Sequence, residues 1–119
     1  MRLGTRGEKI AAAHLKRHGY RILQSNYNCP VGEIDIVALD QDTLVFVEVK
    51  TRQSDEAADP EIAVHREKRR RLTRAARHYI RRKAAEQVPC RFDVVAIVLP
   101  ERGDPQIEHF IDAFAPTPG

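Results

Sequence analysis

The sequence has no tryptophan, one methionine and only two cysteines among its 119 residues. Aromatic residues make up 6% of the chain, so aliphatic side chains must fill most of the core. Two cysteines without a Cys-x-x-Cys motif exclude a disulfide scaffold and a cysteine-based zinc site. We expect Cys29 and Cys90 to be reduced thiols, although the sequence alone also permits one disulfide between them.

Long apolar segments are missing as well. No run of roughly 18 or more apolar residues occurs, so we expect no membrane span. The N-terminal segment lacks the apolar core of a secretory signal, which favours a cytoplasmic protein. Hydrophobic residues make up 42% and charged residues 31% of the chain, as is ordinary for a globular protein. We predict a single domain over residues 1–119, with a core at 4–114 and a flexible tail at 115–119.

The net charge of +3 conceals an uneven distribution of acids and bases. Residues 66–83 contain ten of the 20 Lys and Arg residues, whereas residues 33–61 contain nine of the 17 acids. A basic element beside an acidic one suits a polyanion that is held near a bound cation. Alternatively, the basic run is simply a solvated helix surface.

Hydrophobic periodicity and turn residues predict the order helix, three strands, helix, two strands. The predicted helices cover residues 4–18 and residues 60–86, the second capped by Asp59. The predicted strands cover residues 20–27, 32–39, 44–52, 91–99 and 107–114. We therefore predict an α/β fold in which helices pack on a mixed β-sheet.

Strand faces alternate with a period of two, which sorts the side chains of the second and third strands. The second strand has one face with Glu33, Asp35 and Val37 and another with Ile34, Ile36 and Ala38. The third strand has one face with Leu44, Phe46, Glu48 and Lys50 and another with Val45, Val47 and Val49. Each strand thus carries its charged residues on a single face.

The loop between these two strands, predicted at residues 40–43, sets their register. With this loop Asp35 lies opposite Glu48, and Glu33 lies opposite Lys50. Two like charges opposite each other destabilise a hairpin by up to about 1 kcal/mol. This arrangement suggests that a cation lies between the carboxylates of Asp35 and Glu48. An exposed polar surface with a cross-strand ion pair is the alternative.

The spacing of Asp35 from Glu48-x-Lys50 resembles the active-site motif of PD-(D/E)XK nucleases, the restriction-endonuclease-like superfamily. Across residues 4–114 the chain resembles the YraN-type bacterial proteins of that superfamily, in the segments GTRGEKIAAAHLKRHGYRIL, SNYN, GEIDIVALD, LVFVEVKTR, RFDVVAIV and IEHFIDAF. Its first half is also similar to archaeal Holliday-junction resolvases. The resemblance implies one nuclease-like domain with a restriction-endonuclease-like fold, a mixed sheet flanked by helices in the order α-β-β-β-α-β-β.

The resemblance further implies a catalytic site made of Asp35, Glu48, Lys50 and Glu8. Asp35 and Glu48 would bind Mg²⁺ or Mn²⁺, hard cations that prefer oxygen ligands. The carbonyl of Val49 and the carboxylate of Glu8 would complete the metal site, the latter directly or through water. Lys50 would hold the attacking water or stabilise the developing charge.

Two of the acids also fit roles outside a metal site. A carboxylate in the first turn of a helix is favoured by the helix dipole, and on helix statistics alone this role suits Glu8 better. Glu33 either pairs with Lys50 or faces solvent.

Basic residues of the second predicted helix would contact the nucleic-acid backbone. Lys68 is aligned with the apolar face of that helix, so it is the best candidate for reaching a phosphate at the active site. The predicted nucleic-acid contacts are Lys68, Arg69, Arg70, Arg74, Arg77 and Arg52. We expect DNA rather than RNA as the partner. A homodimer is conceivable, but no dimer surface is recognisable.

Three functions are therefore compatible with the sequence. The first is a Mg²⁺-dependent endonuclease acting on DNA, with branched or damaged DNA as candidate substrates. The second is a nucleic-acid-binding or adaptor module that retains the nuclease fold without cleaving. The third and weakest is a structural partner of another protein, without affinity for nucleic acid.

Overall fold

The computed structural model describes residues 3–53 and 64–118. Its elements are helix α1 (Leu3–Arg17), strands β1 (Arg21–Cys29), β2 (Gly32–Asp40) and β3 (Thr43–Gln53), helix α2 (Arg66–Arg82), and strands β4 (Cys90–Leu99) and β5 (Gln106–Phe114). This order confirms the predicted α/β fold. Neither of these two helices is long and apolar enough to cross a membrane.

The five strands form one mixed sheet in the order β1-β2-β3-β4-β5. Strands β3 and β4 are parallel, and the other neighbours are antiparallel. A parallel pair requires a long crossover connection, and helix α2 lies in the connection between β3 and β4. This crossover places α2 on one face of the sheet, near β2 and β3.

Each helix covers one face of the sheet with an aliphatic or aromatic cluster. Leu15 of α1 packs in a cluster with Val45 and Val47, whereas Leu72 of α2 packs in a cluster with Leu44 and Phe46. These four β3 residues alternate between the two clusters, which confirms the predicted faces of that strand.

The turn between β2 and β3 is shorter than predicted. Asp40 pairs with Thr43, so only Gln41 and Asp42 form the turn instead of residues 40–43. Gln41 has a φ of 54°, the left-handed conformation that two-residue hairpin turns require. Shortening the loop by one residue at each end leaves the register unchanged, and the last pair of this ladder joins Ile36 and Val47.

Three other boundaries differ from the sequence prediction by two or more residues. Helix α2 begins at Arg66, with His65 as its N-cap, instead of at residue 60. Strand β1 continues to Cys29 instead of ending at residue 27. Helix α2 ends at Arg82 instead of Glu86, because Ala84 adopts a φ of 51° that an α-helix cannot contain. The predicted helix cap, Asp59, lies outside the described residues.

Candidate active site

Four elements bring charged side chains together at the edge of the apolar cluster that Leu72 of α2 forms with the sheet, hereafter the α2 cluster. Asp35 of β2 and Glu48 of β3 are joined by a hydrogen bond between their carboxyl groups. The ammonium Nζ of Lys68, from α2, lies 3.6 Å from Oε1 of Glu48. Glu8 of α1 is near enough for the charge of Asp35 to act on it. The structure thus brings together three predicted acids and the lysine predicted to reach inward.

Asp35 occupies a break in the alternation of β2. Ile34 belongs to the α2 cluster, as does Val37, although strict alternation places these two residues on opposite faces. The prediction that Ile34 shares a face with Ile36 is therefore wrong. Asn26 lies opposite Asp35 in the β1–β2 register and has a φ of 53°. This distortion of the ladder accounts for the altered face.

Partial burial dominates the electrostatics of the two central acids, and for Glu48 the charge of Asp35 adds to it. The Glu48 side chain is only 13% exposed, and its burial and the charge of Asp35 raise its pKa to about 7 despite Lys68. Burial likewise raises the pKa of Asp35, although the Val49 N–H donates to its Oδ2 at 2.8 Å. Glu48 therefore keeps its proton below about pH 7, and this proton lies in the hydrogen bond to the Asp35 carboxylate.

Glu8 owes its position to packing and not to the helix dipole. Helix α1 begins at Leu3 and has no acid in its first turn, so the interpretation of Glu8 by the helix dipole is wrong. Burial and the nearby Asp35 raise the pKa of Glu8, while a hydrogen bond from the Asn26 side chain opposes this. Asn26 therefore connects Glu8 to the strand opposite Asp35.

The close approach of α1 to β3 holds Glu8 in this place. A Cβ atom on Gly7 would overlap the hydroxyl of Thr51 and lie 3.0 Å from its Cβ. Only glycine allows the helix backbone to come this near to the strand. Since Glu8 directly follows Gly7, this contact sets the depth at which its carboxylate lies.

The remaining predicted residues of β2 and β3 surround this centre. Lys50 follows Glu48 by two positions on the same strand and is partly buried beside Ala96 of β4. Arg52 lies two positions further, where it lines a cavity of about 220 Å³. Glu33 is exposed, and its charge contributes to raising the pKa values of Asp35 and Glu8.

The bases of α2 point in different directions and do not form one surface. Lys68 lines a cavity beside the β1–β2 turn. Arg69 lines another cavity, against β5, and its Nε atom is buried without a hydrogen-bond partner. Among the predicted contacts, Arg70, Arg74 and Arg77 are exposed and, at spacings of three and four, share one outer surface of α2. Of the predicted α2 contacts, the structure brings only Lys68 to the acid pair.

A second buried polar cluster, on β4, was missed by sequence reasoning. Asp93 is 0% exposed and accepts hydrogen bonds from Arg91 Nε at 3.0 Å, His109 Nε2 at 2.8 Å and the Asp112 N–H at 2.9 Å. Burial alone would raise the pKa of Asp93, but these hydrogen bonds outweigh it and lower the pKa. Arg91 also donates to Tyr20. With all these partners satisfied, the cluster connects β4 to β5 and to the start of β1.

Asn26 and Arg71 were also missed. Asn26 stands in the SNYN segment, whose strand pattern gave no reason to single out one residue. Arg71 lies three positions after Lys68, and residues at this spacing share a helix surface. That spacing was the signal that could have grouped Arg71 with Lys68.

The donor atoms of the acid pair suit a hard divalent cation. Carboxylate oxygens favour Mg²⁺ or Mn²⁺ over zinc, and a cation between Asp35 and Glu48 would replace the shared proton. Within residues 3–53 and 64–118, no group of three or more His, Cys, Asp or Glu side chains is arranged to hold a metal. The side chains of Asp35 and Glu48 therefore form a pair that needs further ligands from the backbone or from water.

Fold and site together define an α/β protein with a partly buried carboxylate pair beside a lysine. The chain belongs to the uncharacterised protein family UPF0102, whose profile matches residues 7–97. This match confirms the resemblance to YraN-type proteins at the level of the family.

Similar UPF0102 proteins cover almost the whole chain. One from Syntrophus aciditrophicus is 47% identical over 114 residues, which are 96% of this chain and 89% of that protein. One from Geobacter sulfurreducens is 48% identical over 112 residues, 94% of this chain and 88% of that protein. One from Chlorobium phaeobacteroides is 45% identical over 117 residues, with 94% and 92% covered. The names of these relatives state no activity.

Proposed function

We propose that this protein is a metal-dependent nuclease of the PD-(D/E)XK type that hydrolyses phosphodiester bonds in DNA. The observation that carries the proposal is the partly buried contact between the carboxyl groups of Asp35 and Glu48. Burying two acids against each other destabilises a fold unless a cation neutralises them. The Nζ atom of Lys68 lies 3.6 Å from Oε1 of Glu48, and a divalent cation would further stabilise the ionised form of both acids.

The proposed ligands of Mg²⁺ or Mn²⁺ are the carboxylates of Asp35 and Glu48, the carbonyl of Val49 and, through water, Glu8. A bound ion of this kind neutralises a phosphoryl group and activates water. The Val49 N–H bond to Asp35 fixes one carboxylate oxygen, so that the other can face the ion. Asn26 fixes Glu8 in the same way.

The lysines of the site would act on the phosphate and the attacking water. Lys50 stands on the same strand as Glu48, where it would orient the water or stabilise the developing charge. Lys68 approaches the acid pair from α2 and would bind a non-bridging oxygen of the phosphate. Candidate substrates are branched or damaged DNA, as the resemblance to resolvases implies.

The test is cleavage of labelled forked, nicked and linear DNA with Mg²⁺ or Mn²⁺. Asp35→Asn and Glu48→Gln preserve shape and remove charge, and each should lower the cleavage rate at least about 100-fold. Glu86→Gln, at an exposed acid in the connection between α2 and β4, is the matched control and should cleave as the wild type does. No cleavage by the wild type, or equal cleavage by all variants, would contradict the proposal.

A second candidate function is a nucleic-acid-binding or adaptor module without cleavage. It is favoured by the exposed outer surface of α2, where Arg70, Arg74 and Arg77 stand apart from the acid pair. Under this alternative Asp35→Asn should bind DNA as tightly as the wild type while neither cleaves. Cleavage by the wild type that is lost in Asp35→Asn would exclude the alternative.

A further inference from the structure

A cavity of about 340 Å³ lies next to the acid pair, between the β1–β2 turn and helix α2. Asn28, Cys29 and Glu33 line it from the strands, and Lys68, Arg71 and Leu72 line it from the helix. Lys68 lines this cavity and also reaches the acid pair, since its Nζ atom lies 3.6 Å from Oε1 of Glu48. A molecule in this cavity would therefore be continuous with a phosphate at the acid pair.

Close packing shapes the cavity. A Cβ atom on Gly32 would lie 3.1 Å from the carbonyl oxygen of Arg71 and 3.6 Å from Cβ of Ala75, so the β1–β2 turn rests directly on the helix backbone. The thiol of Cys29 donates to the Gly32 carbonyl at 3.3 Å and Asn28 donates to the Asn26 carbonyl at 3.1 Å. The strand side of the cavity is thus fixed by its own hydrogen bonds.

We infer that this cavity binds one unpaired nucleotide of the strand that is cleaved. Its volume is at the lower end of the range of about 300 to 1,000 Å³ for small-molecule pockets, which suits one nucleotide and not a base pair. Enzymes that act on nucleic acids take single or extruded nucleotides into such pockets. The inference rests on the proposed function, since it assigns the cavity to the strand whose phosphate reaches Asp35 and Glu48.

The residues that line the cavity complement both the phosphate and the base of a nucleotide, and not a phosphate alone. Lys68 and Arg71 supply positive charge for the phosphate. Leu72, which is only 2% exposed, adds a small apolar patch to the wall, against which a base can pack. The carboxylate of Glu33 would repel a phosphate, but it can accept hydrogen bonds from the amino group of a base. A nucleotide can meet both sets of groups at once, because its phosphate and its base lie at opposite ends of the molecule.

The first measurement is binding of a fluorescent single strand and of the corresponding blunt duplex in EDTA, where no cleavage occurs. Arg71→Ala should weaken binding of the single strand about 5-fold to 10-fold and change duplex binding less than 2-fold. Arg81→Ala removes the same charge from an exposed position of α2 outside the cavity and should not distinguish the two ligands. Equal losses for single strand and duplex in Arg71→Ala would overturn the inference.

The second measurement uses the thiol in the cavity and needs no change to its walls. In a Cys90→Ser background, deoxycytidine or deoxyguanosine monophosphate should slow alkylation of Cys29 at least about 3-fold, and the same concentration of inorganic phosphate should not. Equal protection by phosphate, or no protection by either nucleotide, would overturn the inference. Because neither measurement depends on cleavage, a failed nuclease assay and a failed nucleotide subsite are separate results.

Discussion

At the scale of single residues, the acid pair is a place where function and stability conflict. Asp35 and Glu48 are partly buried and in contact, and the pKa of Glu48 is raised to about 7 by burial and by Asp35. Residues that bind or react are often held in arrangements that destabilise the fold. Removing one charge should therefore stabilise the metal-free protein while it abolishes activity.

The size of the stabilisation gained by removing the Glu48 charge depends on pH. Below about pH 4.5 Glu48 is protonated in both the folded and the unfolded state, and between about 4.5 and 7 the folded state holds the proton more tightly. Its stabilising contribution is therefore fully present at low pH and is lost as the pH rises through about 7. Glutamine has no proton to lose, so Glu48→Gln escapes this loss.

We predict that Glu48→Gln raises the melting temperature of the metal-free protein at pH 8 by about 5 °C, equivalent to about 1 to 2 kcal/mol. The difference from the wild type should shrink towards zero at pH 4.5, because the wild-type carboxyl is then protonated as well. Thermal unfolding in EDTA, followed by circular dichroism, measures the difference in melting temperature at both pH values. Glu86→Gln should show no change at either pH, and a lower melting temperature of Glu48→Gln at pH 8 would contradict the prediction.

The buried Asp93 differs from the acid pair, because hydrogen-bond partners satisfy its carboxylate fully. Replacing it by asparagine removes the carboxylate that pairs with Arg91 and His109 and leaves Arg91 with the more exposed carboxylate of Asp40 at 3.2 Å. Breaking such a buried pair costs about 3 kcal/mol. We predict a loss of this size for Asp93→Asn in urea unfolding at pH 7. Asp104→Asn, in the exposed turn before β5, is the control, and a loss below about 1 kcal/mol for Asp93→Asn would refute the assignment.

The lowered pKa of Asp93 gives a second test of the same cluster. Its folded-state pKa is depressed because hydrogen bonds from His109 and Arg91 outweigh the cost of burial. The stabilising contribution is therefore present above the unfolded pKa of about 3.9 and is lost as the pH falls. Between pH 5 and pH 2 the wild type should lose more stability than Asp93→Asn does.

At the scale of elements, the contact of α1 with β3 positions the third acid. A side chain on Gly7 would overlap Thr51, so Gly7→Ala must push the helix and Glu8 away from the sheet. We predict that Gly7→Ala destabilises the protein by about 1 to 3 kcal/mol and lowers cleavage. Unfolding in urea and the nuclease assay are the measurements.

Two further variants separate this contact from the helix propensity of alanine. A Cβ atom on Gly4 meets nothing within 4 Å, so Gly4→Ala should stabilise the helix by about 0.5 to 1 kcal/mol. Thr51→Ala removes the overlapping atoms and should restore part of the stability lost in Gly7→Ala. A Gly7→Ala protein as stable as Gly4→Ala would show that α1 does not need this close approach.

The elements and most of the register followed from the sequence, because periodicity and turn residues act locally. The alternation of β3 and the pairing of Ile36 with Val47 are determined by side chains within a few residues of each other. The irregular features were less predictable. The distortion at Asn26 that moves Ile34 to the α2 face depends on packing between separate elements, which local patterns do not encode.

The candidate site divides in the same way. Spacing and resemblance identified Asp35 and Glu48, and the structure places them in contact. The partners supplied by distant elements were harder to assign. Only the folded chain shows that Asn26 holds Glu8, because this contact joins a strand to a helix, and that Lys68 and Arg71 face a cavity beside the β1–β2 turn.

At the scale of the whole molecule, positive charge is presented on more than one surface. Arg70, Arg74 and Arg77 form the exposed outer surface of α2, and α1 presents Lys9, Lys16 and Arg17 on the opposite side of the sheet. If DNA binds on the α2 side, replacing the three α2 arginines by alanine should reduce the slope of log K against log salt by about 2 to 3.

The α1 triple variant removes the same charge and should leave that slope unchanged. Fluorescence anisotropy with one duplex at several salt concentrations measures both proteins. Equal slopes for the two triple variants would mean that DNA is attracted by net charge alone and not by the α2 surface.

Asp35 and Glu48 are proposed to hold a divalent cation. Titration with Mn²⁺, followed by electron paramagnetic resonance of the free ion, counts bound ions directly. We predict one ion per wild-type chain at pH 8, weakened at least about 10-fold in Asp35→Asn and in Glu48→Gln and unchanged in Glu86→Gln. Affinity should fall as the pH drops below about 7, where a proton competes for Glu48. Absence of Mn²⁺ binding at millimolar concentration, or equal binding by all four proteins, would contradict the claim.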